Sequence, residues 1–188
     1  MIPGGLGILT VVLLLFCLWH ASTALGSRLA AVFFAITVVT AWAFEELGVV
    51  TGLVYGPYHY TSMLGPWIGS VPVLIPLAWF ALVYPTYVLV ELIAGRWPVR
   101  APEGRGRLVA LALLGAALMT AWDVALDPIL SGPVYRAWAW ETGGIDVAVP
   151  AQNYLGWIVT AFTIYLLYRS AERRVRPRAF AVDHAIVG

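Results

Sequence analysis

Four acidic side chains fall where the chain is otherwise almost wholly apolar: Glu45 and Glu46 in one hydrophobic stretch, Asp123 and Asp127 in another. Carboxyls in such surroundings are costly, and by default they mark sites of proton transfer or ligand binding. Asp123 and Asp127 stand four apart and so share one helix face. The alternative is that the acids mark a membrane interface and point at headgroups, and Glu46 fits that description as well as the other. Aromatic rings crowd beside both pairs, in residues 52–60 (Gly-Leu-Val-Tyr-Gly-Pro-Tyr-His-Tyr) and 135–141 (Tyr-Arg-Ala-Trp-Ala-Trp-Glu). In an extended segment Tyr58 and Tyr60 point the same way, as do Trp138 and Trp140. Rings aimed at one surface could bind a polyene, or stabilise a carbocation through their electron-rich faces.

Other groups carry weaker signals. Trp19, Trp67 and Trp97 are better read as an interfacial aromatic belt. His59 could transfer protons, although an exposed loop histidine is more often simply solvated. Asn153 follows Pro150 at the start of a hydrophobic stretch, where Asn serves either as a helix cap or as a polar partner for a water or hydroxyl. Gly48, Gly52 and Gly56 recur every four residues, the pattern of close helix packing. Glu91 belongs at the far end of its stretch and reads as structural.

The elements that must hold these groups follow from composition. Of 188 residues, 61% are hydrophobic and 11% charged, and the mean hydropathy is +0.85. Soluble domains carry roughly a quarter charged residues, so this chain is a membrane protein. Apolar windows predict five spans, at 6–25, 29–50, 71–93, 108–127 and 153–169, and hence an all-α polytopic bundle forming a single domain over residues 1–170. The first window could be a signal peptide ending near Ser22-Thr23-Ala24, but residues 1–6 lack the positive charge such a segment carries, and a retained helix is favoured. Eleven Arg and no Lys against ten acids are too balanced for a nucleic-acid binder. A lone Cys17 and scattered His20, His59 and His184 give no metal-ligand spacing, so no metal is expected.

Arg residues follow spans 1, 3 and 5, whereas residues 51–70 and 128–152 hold only Arg136. The positive-inside rule then puts the amino terminus outside and an Arg-rich tail, 171–188, in the cytoplasm, where it frays or lies on the anionic leaflet. Counted from Leu29 and Leu108, Glu45 and Asp123 both stand about 23 to 24 Å up their helices, in the outer third of the hydrocarbon. An offset of 80 aligns Thr40-Ala41-Trp42 with Thr120-Ala121-Trp122, Val54-Tyr55 with Val134-Tyr135, and Tyr58 and Tyr60 with Trp138 and Trp140. At 78, Val71-Pro72 meets Val149-Pro150 and Trp79 meets Trp157. The expectation is a parallel repeat of spans 2–3 and 4–5 (about 29–93 and 108–169) with a ligand cavity between the halves.

Taken in order, Glu45-Glu46-Leu47-Gly48, Thr51-Gly52, Tyr55-Gly56, Tyr58-His59-Tyr60, Val71-Pro72 and Trp79 resemble the first conserved block of the integral-membrane carotenoid biosynthesis family that contains the acyclic carotenoid 1,2-hydratases. Asp123, Asp127-Pro128, Trp138, Trp140, Gly143-Gly144, Pro150, Asn153 and Gly156-Trp157 resemble its second. The resemblance covers about residues 40 to 160. It implies hydration of the terminal double bond of an acyclic, lycopene-like or longer carotenoid, in a prokaryotic cytoplasmic membrane, with water as co-substrate and no cofactor. Such a reaction needs an acid to protonate the alkene, protection of the tertiary cation and a positioned water. On this reading Asp123 or Asp127 is the acid and Glu45 activates water, with the roles open to exchange. Tyr55, Tyr58, Trp138 and Trp140 flank the cation, Tyr60 and Trp157 complete the substrate surface, Asn153 holds the water, and Glu46 and His59 are further candidates. Rival readings are a carotenoid cyclase or isomerase, which shares the protonation step, a carotenoid-binding protein without chemistry, and a transporter. The last would require a polar path below the acids, where these spans are apolar.

Overall fold

A computed structural model describes residues 3–97, 104–141 and 149–186, with side chains described between Gly5 and Val175. Arg100 and the Gly143-Gly144 motif lie outside the described residues. The described residues form five α-helices in order: α1 (Pro3–Leu25), α2 (Ser27–Thr51), α3 (Leu74–Ile93), α4 (Arg105–Leu130) and α5 (Ala151–Ile186). The fold is the expected all-α bundle. Among the described residues, α1 to α4 are long and apolar enough to cross a membrane. The fifth expected span is a helix, but it lacks that composition: it has Gln152 and Asn153 in its first turn and runs into Arg169, Glu172, Arg173 and Arg174 after Tyr168.

Nor does α5 stop near residue 169. Arg169 and Glu172 are buried, so the chain has no reason to leave the helix where its polar residues begin. Arg169 Nη1 donates to Glu91 Oε1 at 2.6 Å, Arg96 Nε donates to Glu91 Oε2 at 2.9 Å, and the Tyr87 hydroxyl donates to Glu172 at 2.9 Å. Glu91 is therefore the structural group its position suggested, tying the end of α3 to α5.

The third span is expected from residue 71, and α3 begins three residues later. The residue before a proline is biased toward extended backbone, and Val71-Pro72 stay extended ahead of the helix. They form instead a short strand, β3 (Val71–Pro72), antiparallel to β2 (Trp67–Ile68). Pro85 sits inside α3 and offers no N–H to the carbonyl of Ala81 one turn earlier. Cys17 Sγ from α1 takes that carbonyl at 3.7 Å, which gives the lone thiol a packing role.

Polarity is inverted relative to a soluble protein. Ile8, Leu9, Val39, Val50 and Leu155 are exposed, while Glu45, Asp123, Asp127, Glu91 and Arg169 are buried. A hydrocarbon solvent demands this arrangement. Between the two polar centres runs an aromatic core in which Phe33 stacks on Tyr168 at 3.7 Å and meets Phe80 and Tyr87 edge-on. α4 and α5 approach closely because Gly115 faces Tyr165: a Cβ there would lie 2.7 Å from the ring.

The two aromatic loops after α2 and α4 meet each other. β1 (Tyr58–Tyr60) and β4 (Trp138–Trp140) pair antiparallel, with Tyr58 opposite Trp140 and Tyr60 opposite Trp138. The turns leading into them take positive φ at Gly56 (96°) and Arg136 (48°), positions 80 residues apart.

Candidate active site

β1 and β4 alternate as extended strands must, so Tyr58, Tyr60, Trp138 and Trp140 all face the helices while His59 faces away. Tyr58 lies 5.2 Å from Trp140 and Tyr60 lies 6.2 Å from Trp138, ring centre to ring centre. Each of the four rings carries one polar hydrogen, and each donates it to a helical carboxylate.

Glu45, on α2, receives three hydrogen bonds. Its Oε2 accepts from the Tyr58 and Tyr60 hydroxyls, both at 2.6 Å, and its Oε1 accepts from Trp79 Nε1 on α3 at 2.8 Å. Burial and the adjacent Glu45 carboxylate push both phenols well above their usual range, so they remain O–H donors. Asp127, on α4, is held likewise. Its Oδ1 accepts from Trp138 Nε1 at 3.0 Å and Trp140 Nε1 at 3.1 Å, and its Oδ2 accepts from Asn153 Nδ2 on α5 at 2.9 Å. Asp123, one turn earlier, accepts from the same Asn153 Nδ2 at 2.5 Å. Two carboxylates with three donors each therefore stand beside one with a single donor. That inequality is the chemically informative feature of the site, because hydrogen bonds donated to a carboxylate favour its ionised form.

These groups enclose a cavity of about 100 Å³. Glu45, Asp123, Asp127 and Asn153 form its polar wall, all no more than 5% exposed. Trp79 and Trp157, stacked at 4.3 Å, and Tyr55 contribute further rings. Tyr55 is clamped between two helices at glycines. A Cβ on Gly48 of α2 would lie 2.7 Å from its ring, one on Gly156 of α5 would overlap it, and its hydroxyl bonds Thr160 at 2.9 Å. Three carboxyls, seven aromatic side chains and an aliphatic wall thus share one pocket. Among the described residues no cluster of His, Cys, Asp and Glu could hold a metal ion.

Comparison with known proteins agrees with this chemistry. The sequence pattern of the family described as carotenoid biosynthesis protein matches residues 5–185. The chain belongs to that family. Among curated relatives, bisanhydrobacterioruberin hydratase from Haloarcula japonica is 32% identical over 161 residues, covering 81% of this chain and 52% of that protein. The chain therefore spans about half the length of this relative. No solved structure matches it significantly.

In this carotenoid biosynthesis protein, ten of the twelve expected site residues line one cavity: Asp123, Asp127 and Glu45, with Tyr55, Tyr58, Tyr60, Trp138, Trp140, Asn153 and Trp157. Two do not. Glu46, on the next helical position, points away and accepts from Ser70 N at 2.7 Å and Ser70 Oγ at 3.1 Å, bracing the β2–β3 turn. His59 is exposed and pairs with Glu141 at 3.2 Å. Sequence reasoning missed Trp79 as a site residue, although its register with Trp157 is visible in the repeat. It also missed the aliphatic wall from α3, since Ile75, Ala78 and Leu82 look like any other membrane-helix residues.

Proposed function

We propose that this protein hydrates the terminal C1–C2 double bond of an acyclic carotenoid end group. The observation that carries the reading is the unequal bonding of the three carboxyls. Three donors each favour the ionised form of Glu45 and Asp127, and Asp123, with one, is the group we assign to carry the proton. The Asp123 carboxyl protonates the less substituted alkene carbon. The tertiary cation that results is stabilised by the two carboxylates and by the faces of the surrounding rings. A water oriented by Glu45 adds its oxygen to the cation and gives up a proton to a carboxylate. Return of that proton to Asp123 closes the cycle. The net change is the addition of one water, with no oxidation or reduction, so the chemistry calls for no redox partner.

Cyclisation would share the protonation step and differ in the capture of the cation by a neighbouring double bond. The name of the haloarchaeal relative, which specifies a hydratase, favours water as the captor. The duplication read from sequence supports a site built between two halves, since Tyr58 and Tyr60 serve Glu45 as Trp138 and Trp140 serve Asp127. On the arginine distribution, the acid-bearing end faces outward, with the amino terminus outside and the carboxyl terminus in the cytoplasm.

The test is pigment chromatography of cells that make an acyclic carotenoid and express the chain. Wild type should yield a more polar pigment whose new oxygen derives from labelled water. Asp123→Asn should keep carotenoid bound yet lower product by about 10² to 10⁴-fold, the usual contribution of a general acid. Wild-type activity in Asp123→Asn would remove the assignment, and bound but unchanged pigment with wild type would favour a binding protein.

A further inference from the structure

The cavity walls divide by chemistry in a way the reaction does not require. Apart from Trp79, the α3 wall is aliphatic, formed by Ile75, Ala78 and Leu82, and α4 adds Leu126 and Leu130 beyond its two acids. All five aliphatic residues retain partial exposure, whereas the acids are buried. Toward the helix ends the cavity is roofed by the β1–β4 ladder, whose four rings are each bonded down to a carboxylate. α3 and α4 are both long and apolar enough to cross a membrane, so an opening between them would face hydrocarbon. A long polyene cannot fit within about 100 Å³, and its remainder has to leave the cavity through an apolar opening.

We infer that the substrate end group enters sideways from the bilayer, through the gap between α3 and α4, and that Ala78 sets the width of this entrance. The inference rests on the proposed hydration and adds a route and a specificity-determining residue to it. Ile75, Ala78 and Leu82 are spaced three and four apart, one stripe of α3. Ala78 is the smallest of the five aliphatic groups and lies between the larger Ile75 and Leu82 on that stripe. Enlarging that one side chain narrows the entrance without replacing an acid, a ring donor or a residue of the ladder.

The experiment places a thiol at the threshold with Ala78→Cys, in the full chain, in membranes labelled with and without carotenoid and then assayed with carotenoid supplied. Native Cys17 is fully buried, and wild type treated identically is the control. A benzyl methanethiosulfonate should react with the new thiol and lower hydration by about tenfold or more, the methyl reagent should do far less, and a reductant should restore activity. Bound carotenoid should protect the thiol. Val124→Cys, at an exposed α4 position outside the cavity lining, should be labelled by the same reagent without loss. Full activity after complete benzyl labelling of Ala78→Cys, or no labelling there in carotenoid-free membranes while Val124→Cys reacts, overturns the entrance. Because labelling is reversed by reduction, loss of activity cannot be confused with misfolding. Protection by carotenoid with no hydration in wild type would keep the entrance and remove the reaction.

Discussion

Glu45 takes three hydrogen bonds from groups that only donate in this setting, two phenols and an indole, and it takes them from two directions. A buried carboxylate is tolerated only with such satisfaction, because its desolvation is otherwise uncompensated. Tyr60→Phe keeps the ring and removes one donor. It should cost about 1.5–3 kcal/mol of stability, the usual worth of a hydrogen bond to a charged group, and lower the proposed hydration by loosening Glu45. Thermal unfolding in detergent, together with pigment chromatography, checks both effects. An unchanged variant would show that Tyr58 and Trp79 suffice to hold the carboxylate. Asp123→Glu offers a complementary trial, since it keeps an acid but lengthens its reach by a methylene. Product should fall sharply although a proton donor remains, because proton transfer depends on position.

α2 and α5 meet through Tyr55, and the fit depends on two glycines. Their missing side chains let the ring lie against both helix backbones, and the same α5 surface carries Asn153 less than one turn from Gly156. Gly156→Ala puts a methyl group into the Tyr55 ring and the Val54 carbonyl. Overpacking of this kind typically costs about 1–3 kcal/mol, and here it also displaces the amide shared by Asp123 and Asp127. At Gly7, on α1, an added methyl group would meet nothing within 4 Å, and Gly7→Ala should be neutral or stabilising by about 0.5–1 kcal/mol from helix propensity. Opposite signs at two helical glycines, read by thermal unfolding, would establish that close approach rather than glycine content holds these helices. Equal shifts would contradict it.

Across the bundle, two buried polar centres sit near opposite ends of α3: Glu45 with Trp79 at one, Glu91 with Arg96 and Arg169 at the other. Twelve residues separate Trp79 from Glu91, about 18 Å along the helix. The second centre lies beside the arginine-rich connections and the first lies far from them, so the proposed orientation sends the acids outward. A reporter fused after Arg105 should be active in the cytoplasm, and one inserted near Ser62 should be active outside. Recovery of both on one side would refute the topology and with it the outward-facing site. α5 enters the same experiment. If it crosses the membrane despite its polar start, a reporter at Ala179 will agree with the one at Arg105.

Several features were legible in the amino-acid order because they depend on local chemistry. Membrane character and the helices follow from long apolar windows, which no loop can tolerate in hydrocarbon. The shared face of Asp123 and Asp127 follows from helical period, and the common orientation of Tyr58 with Tyr60 and of Trp138 with Trp140 follows from strand period. Period cannot say which strand pairs with which, so the β1–β4 ladder came only with the packed chain. Nor can it distinguish Glu45 from Glu46. Adjacent helical residues point about 100° apart, and only the placement of α3 and the β2–β3 turn sends one to the cavity and the other to Ser70. Trp79, the Tyr55 clamp and the aliphatic wall at Ala78 share that origin. Their roles consist of distances to residues remote in sequence, and such distances exist only once the helices have packed.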